Sequence, residues 1–533
     1  MNELLILAAI ATPLLSMPLV FFAGRRWLPA IATVPALLAG LLVPEGVVVS
    51  LPWLLLGAYL QLDGIAVLLL PATAFVWLFV AAWAATREAD RLDDPAFRLF
   101  FLAAMSGNFL VILAADMVSF YIGFAMMGLA AYPLLLRPGQ QARFSARIYL
   151  AFTLVGELAL FAGMVGLYAA SGSLLFSDLG ATPVPGITLA LLLIGFGIKV
   201  ALPGLHFWLP LAYGTAPIIT VAVLSGPMMK AGLVGWLRFL PIGQEGLAIW
   251  GQLLFVLGAI GVLLGVVFGS LQRRPQVVLG YSSIAKMGLV SAMIGLALAE
   301  PANAGPIVTA VVLFAIHHLL VKSALFLGLG EWQRVGATRP VVILLGVLSL
   351  SLVAVPFTGG AAAKSMLKDA IGIDAAWLLT LAAVGTGLLM IRFMVLIHAR
   401  PGQQGEVGPV MWPWALLLPV VALGPFLPWQ LPWQTDGIGP LVLAASLALP
   451  AWWIAQRYPK LSWHVPPGDL LRWARHLRSR PALAGGDARP SWRLGYVWRE
   501  LLSPTPAVLN LFVPGLLLLL LAAGLLGTLL LPS

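Results

Sequence analysis

Runs of about twenty apolar residues recur along almost the whole chain, and nothing else constrains its fold as tightly. A helix rises 1.5 Å per residue, so each run matches the ~30 Å hydrocarbon core of a bilayer. Sixteen candidate spans fall at roughly 3–23, 29–47, 62–85, 97–114, 117–136, 147–169, 186–210, 215–240, 248–270, 277–298, 306–329, 341–366, 375–398, 410–428, 438–456 and 509–531. Lipid satisfies no backbone N–H or C=O, so spans of this kind are helical. The expected fold is an all-α polytopic membrane protein. The stretch 51–60 is too short and too close to Asp63 to be a span. Composition agrees: 61% of residues are hydrophobic and 9% charged, outside the range of soluble domains. Cysteine is absent, which removes disulfides, iron–sulfur ligation and thiol catalysis together. The start, Met-Asn-Glu, lacks a basic region and reads as the beginning of the first span, not as a cleaved signal.

The loops orient the chain. Arg25, Arg26, Arg87, Arg91, Arg143, Arg273, Arg274, Arg334, Arg339, Arg400 and Arg457 follow odd-numbered spans, whereas Glu245, Glu300, Asp374 and Asp436 follow even-numbered ones. By the positive-inside rule both termini face away from the cytoplasm. The formal charge of +10 is therefore a matter of topology and carries no expectation of a nucleic-acid partner.

Lysine departs from this pattern. Of seven lysines, Lys199, Lys230, Lys286, Lys322 and Lys364 fall within apolar segments, while nearly all arginines lie between them. An ammonium at mid-bilayer costs at least ~2.5–3.5 kcal/mol unless it meets water or a partner. Lysine can shed its proton when desolvated and arginine in practice cannot, so lysine inside with arginine outside suits proton movement. The alternative for Lys199 is snorkelling to the surface from a helix end. Breaks accompany the lysines: Pro203-Gly204 follows Lys199, and Pro356 with Gly359-Gly360 precedes Lys364. Interrupted helices are tolerated in membranes only where they line a cavity or pack on protein.

Glu157 is the one acid read as lying deep inside a span, and a carboxylate near Lys199 or Lys230 makes either a switch or a static pair. His318 and Lys322 stand at i and i+4 and share a helix face. Their neighbour His317 then points elsewhere, as a packing residue. With Lys286 in GYSSIAKMG, these residues suit a water-linked relay. No carboxylate or cysteine accompanies His206, His317 and His318 at ligand spacing, so no metal is expected. There is no P-loop, dinucleotide fingerprint or hydrolase triad, hence no cofactor and no redox or hydrolytic site of the chain's own.

The organisation expected is N-terminal spans over 1–96, a first half over 97–240, a second over 248–398, further spans over 399–459, a lateral segment over 460–508 and a last span over 509–533. The two halves hold five spans and one break each; five being odd, they read as inverted repeats. In the lateral segment, DLLRWARHLRSR at 469–480 sets Leu470, Trp473 and Leu477 against Arg472, Arg475 and Arg478, which suits a short amphipathic helix on the cytoplasmic face.

The chain reads LQLDG at 60–64, GFGIKVALPGLHFWLPLAYGTAP at 195–217, SGPMMKAG at 225–232, GYSSIAKMG at 280–288, HHLLVKSALFLGLG at 317–330 and VPFTGGAAAKS at 355–365. By these motifs, over about residues 60–400, it resembles the antiporter-like subunits of respiratory complex I and their relatives in Mrp cation/proton antiporters and membrane-bound hydrogenases. The resemblance implies that Lys199 is a pump lysine on a broken span, Lys230 the next along the route, His318 and Lys322 the span-11 pair, and Lys364 the exit-side residue. Lys286 falls where the family often has a histidine, and Glu157 resembles an acid of the distal type of subunit. It further implies proton translocation, with sodium as the alternative ion, within a larger energy-converting complex of the bacterial inner membrane, among other membrane or peripheral subunits and lipids. Two positions depart from the pattern: Phe124-Ala125 stands where the family has Trp-Glu, and Leu211 replaces an acid in WLPLAYG. The alternatives are a membrane partner for a proton-driven inorganic-carbon uptake complex, a scaffold with an impaired ion path, and a stand-alone antiporter. The charge pattern predicts that 469–480 is labelled or cleaved from the cytoplasmic face; access only from the opposite face would overturn both this helix and the topology.

Overall fold

The structure, a computed structural model, describes residues 1–22, 24–136, 139–181, 183–399 and 438–457. The expected span at 410–428, the amphipathic helix at 469–480 and the last span at 509–531 lie outside the described residues.

The described chain is almost entirely helical: α1 (Asn2–Leu15), α2 (Val34–Leu42), α3 (Gly64–Arg87), α4 (Pro95–Leu113), α5 (Met117–Leu135), α6 (Gln140–Ser171), α7 (Gly186–Val200), α8 (Trp208–Thr215), α9 (Ile218–Phe239), α10 (Ala248–Ser270), α11 (Pro275–Ala299), α12 (Ala304–Val335), α13 (Arg339–Val353), α14 (Gly359–Ala370), α15 (Ile373–Ala399) and α16 (Ile438–Arg457), with short 3₁₀ and α turns between. Among the described residues, ten helical segments are long and apolar enough to cross a membrane, so the protein is polytopic. Starts are marked by side chains that satisfy orphan N–H groups. Asp63 accepts from Ala66 N at 2.8 Å before α3, and Asp116 from Ser119 N at 2.7 Å before α5.

The all-α reading needs one correction. The stretch too short to be a span forms a hairpin, β1 (Val48–Leu51) antiparallel to β2 (Ala58–Gln61). Its backbone is tied to the bundle by Tyr59, whose N–H donates to Asp116 at 2.9 Å and whose carbonyl accepts from Ala115 N at 2.8 Å.

Helix α3 is pinned at both ends. Asp63, at its start, pairs with Arg238 of α9 at 2.9 Å. Arg87, its last residue, pairs with Glu331 of α12 at 2.9 Å, and Trp83 Nε1 donates to the same carboxylate oxygen at 2.8 Å. Water drives no helix association in lipid, so close packing of small residues does this work. Between α10 and α11 the approach is closest where glycines recur: a Cβ at Gly265 would stand 2.6 Å from the carbonyl oxygen of Tyr281 and 2.7 Å from Ala285 N. At Gly288 it would stand 2.7 Å from the carbonyl oxygen of Gly258. Gly265→Leu is expected to cost at least about 1–3 kcal/mol by overpacking; a thermal midpoint in detergent equal to that of the parent chain would contradict this packing.

Candidate functional site

The first break is built by a cap that few residues favour. Ala201 ends α7 in the left-handed region (φ +61°), and Leu202 N closes back on Gly197 O at 2.9 Å. This reversed turn ordinarily takes glycine, since a Cβ there costs about 1–2 kcal/mol. Pro203, Gly204 and His206 follow in the interval before α8, and Trp208 Nε1 donates to Ile198 O at 2.8 Å. The tryptophan of the WLP motif thus satisfies a carbonyl in the last turn of α7. Lys199 lies in that turn, 6% exposed, so it does not snorkel. Its Nζ donates to Tyr149 Oη at 3.5 Å and sits 5.6 Å from the Phe124 ring and 5.8 Å from the Tyr149 ring.

Glu157, 2% exposed, is near enough to Lys199 for their charges to interact, yet no ion pair joins them and neither carboxylate oxygen has a hydrogen-bond partner in the protein. In this conformation Lys199 points to a hydroxyl and two rings. Toward the far side lie Phe120, Phe176, Phe196 and Phe239, with centroids 4.8–6.1 Å apart. They form an aromatic cluster beside Phe124.

The second group lies between α9, α11 and α12. Within α9, residues Leu224–Met228 form a π-turn around Pro227. Proline gives no N–H, and a widened turn leaves carbonyls without their usual donors. Lys230 Nζ donates to one of them, Ser225 O, at 3.1 Å, and lies 2.8 Å from His318 Nδ1. Ser323 Oγ donates to Ala222 O, one turn earlier, at 2.8 Å. Lys322, fully buried, donates to Leu279 O of α11 at 2.9 Å. Lys199 does not touch this group; it stands off at Gly232, where a Cβ would lie 3.1 Å from Lys199 Cβ.

The second break repeats the first cap. Ala354 ends α13 at φ +70°, and Val355 N closes on Leu350 O at 3.2 Å. Pro356 lies within the gap and Gly359-Gly360 opens α14, whose start Thr358 caps. Gly360 packs so closely on the Ser351 carbonyl that no Cβ would fit, and a Cβ there would also stand 3.0 Å from His317 Cε1. His317 is not a mere packing residue: its Nε2 is 2.9 Å from Ser351 Oγ, joining α12 to the end of α13. A cavity with room for about one water molecule opens here, lined by Lys286, Phe314, His317, His318, Gly360 and Lys364. Lys286 Nζ lies 5.4 Å over the Phe314 ring, and Lys364 is half-buried. His318 thus borders both the Lys230–Lys322 group and this cavity.

Sequence reasoning missed a buried acid within the last turns of α12. The apolar run was read as ending at 329, but α12 continues to Val335 and carries Glu331 into the bundle. The signal available was Arg87, an arginine at a span end that needs an anion if the bundle closes over it.

The family described as "NADH:quinone oxidoreductase/Mrp antiporter, TM" matches residues 114–389. An uncharacterised protein of Mycobacterium tuberculosis is 30% identical over 376 residues, covering 67% of this chain and 56% of its own length. The chain thus spans little more than half of that relative. NADH-quinone oxidoreductase subunit N of Desulforudis audaxviator is 28% identical over 414 residues, covering 70% of this chain and 81% of that protein. Among solved structures, the Mrp complex of Dietzia sp. DQ12-45-1b aligns with a TM-score of 0.72 at 21% identity, over 100% of this chain and 63% of its own, a likeness of fold.

Replacing Glu331 by Gln leaves the Arg87 guanidinium, 10% exposed, without its anion. A loss on the order of 3 kcal/mol is expected, read as a lowered thermal midpoint of the purified protein; an unchanged midpoint would show the pair to be idle.

Proposed function

The chain belongs to the NADH:quinone oxidoreductase/Mrp antiporter transmembrane family, and from that membership we propose that it is the proton-translocating membrane subunit of a larger energy-converting complex in the bacterial inner membrane, with both termini on the non-cytoplasmic side. Protons pass along Lys199, Lys230, His318, Lys322, Lys286 and Lys364, and Glu157 serves the Lys199 end. The observation that carries the reading is the 2.8 Å contact of Lys230 Nζ with His318 Nδ1, buried between two helices.

That contact is reversible by its chemistry. As an ammonium, Lys230 donates to a neutral imidazole; as an amine, it accepts from a protonated one. A hop moves one proton from Nζ to Nδ1 and leaves the hydrogen bond in place. Ser225 O holds the amine in position on α9, and Leu279 O does so for Lys322. His318 can then pass a proton toward the cavity where Lys286 and Lys364 meet. Uncharged backbone acceptors orient the amines without trapping the charge, as a carboxylate would. The chain brings no catalytic centre to this reading, so partner subunits supply the driving reaction.

The test uses the full-length chain with its partner subunits in membrane vesicles, with proton flux driven by a potassium diffusion potential. Lys230→Met, His318→Ala and Lys322→Met are each expected to lower flux at least about tenfold, and replacing sodium by choline to leave it unchanged. Undiminished flux in Lys230→Met and Lys322→Met would overturn the relay and favour the scaffold reading. Flux lost with sodium would shift the ion.

A further inference from the structure

Helix α6 turns Tyr149, Thr153 and Glu157 to one side, at i, i+4 and i+8. All three meet α5 at Gly128. Tyr149 Oη donates to Gly128 O at 2.9 Å. A Cβ on Gly128 would stand 3.1 Å from Glu157 Oε1 and 3.2 Å from Thr153 Cγ2. The absence of a side chain there lets this polar stripe pack against α5. At one end of it Lys199 donates to Tyr149 Oη, and at the other the Glu157 carboxylate lies buried with no donor. Thr153 stands one turn from Tyr149 and one turn from Glu157 on this face, a neighbour of both by helical spacing. A carboxylate buried without a donor is costly, so a path by which a proton reaches it matters to its state.

We propose that Tyr149, with Thr153, carries the proton between Lys199 and Glu157; the inference rests on the translocation reading above. In the step, one Nζ–H bond of the Lys199 ammonium breaks and an Oη–H bond forms on Tyr149. The Tyr149 hydroxyl turns away from Gly128 O and passes its own proton to the Thr153 hydroxyl oxygen, and the proton of that hydroxyl passes to the Glu157 carboxylate. Lysine ends as an amine and glutamate as an acid, while both hydroxyls are restored. The reverse sequence recharges the pair. The Phe124 and Tyr149 rings favour the ammonium before the step by cation–π attraction. The anion expected beside the lysine is thus reached through two hydroxyls and not by contact. Tyr149 is a relay for the proton and not a counter-charge.

The experiment measures proton flux in the same vesicles for Tyr149→Phe, Thr153→Val, Glu157→Gln, Lys199→Ala and the Tyr149→Phe/Glu157→Gln pair. Tyr149→Phe keeps the ring that packs edge-on to Trp208 at 5.3 Å, and Thr153→Val keeps the side-chain shape, so thermal midpoints are expected to stay at the parent value. Flux is expected to fall about tenfold or more in Tyr149→Phe, and similarly in Thr153→Val and Glu157→Gln. The double variant should be no slower than the slower single one, because all act on one step. Parent-level flux in Tyr149→Phe with loss in Lys199→Ala would overturn the relay through Tyr149 and leave the translocation reading standing. Losses that multiply in the double variant would also overturn it, since a packing role predicts independence. Parent-level flux in Lys199→Ala would overturn both.

Discussion

An ammonium group closed inside a bundle of apolar helices must find an acceptor there, and the irregularities of this fold are arranged around that demand. A regular helix has no spare carbonyls in its middle. The π-turn at Leu224–Met228 frees Ser225 O for Lys230, and Leu279 O of α11 accepts from Lys322 although it lies within a helix. The break after Lys199 leaves carbonyls at the end of α7, of which Trp208 takes Ile198 O. What remains for Lys199 is a hydroxyl and two aromatic faces.

The static charges are handled differently. Arg238 with Asp63 and Arg87 with Glu331 are arginine–carboxylate pairs at the two ends of α3. Guanidinium does not give up its proton in proteins, and its planar fork suits a fixed carboxylate. Those pairs hold α3, α9 and α12 in register. Lys199, Lys230, Lys286 and Lys322 meet carbonyls, a hydroxyl, an imidazole and rings, acceptors that do not lock an ammonium in its charged form. Fixed charge frames the bundle, and the groups able to change charge lie within the frame.

Much of this was legible in the sequence, for physical reasons. Membrane helices must satisfy their own backbone, so apolar run length translates directly into elements, and the Pro/Gly interruptions pointed to both gaps. The hairpin escaped because a ten-residue apolar stretch says only what it is not. Glu331 escaped because hydropathy fades over the last turns of α12 while the helix and its burial continue. His317 was set aside by reasoning from one helix face, but in a crowded bundle the opposite face is also buried, here against Ser351. The π-turn at Pro227 leaves no mark in a hydropathy profile. The manner in which Glu157 and Lys199 approach was not legible: adjacency of α6 and α7 follows from the sequence order, whereas the direction of each side chain does not.

The two gaps close with the same backbone and carry different chemistry. Alanine takes the left-handed position at 201 and at 354, and the bonds Leu202 N to Gly197 O and Val355 N to Leu350 O are equivalent. In that register Lys199 matches Leu352. The first gap therefore has its ammonium before the break, in the last turn of α7, where the negative end of the helix dipole attracts a cation. The second has Leu352 at that place and its lysine, Lys364, beyond the break, in the second turn of α14. Gly360 crowds the Ser351 carbonyl and His317 meets the Ser351 hydroxyl at the second gap, while Tyr149 and Phe124 flank the lysine at the first. One backbone solution thus carries its lysine before the gap in the first case and beyond it in the second, so the same reversed turn presents different chemistry at the two ends of the bundle.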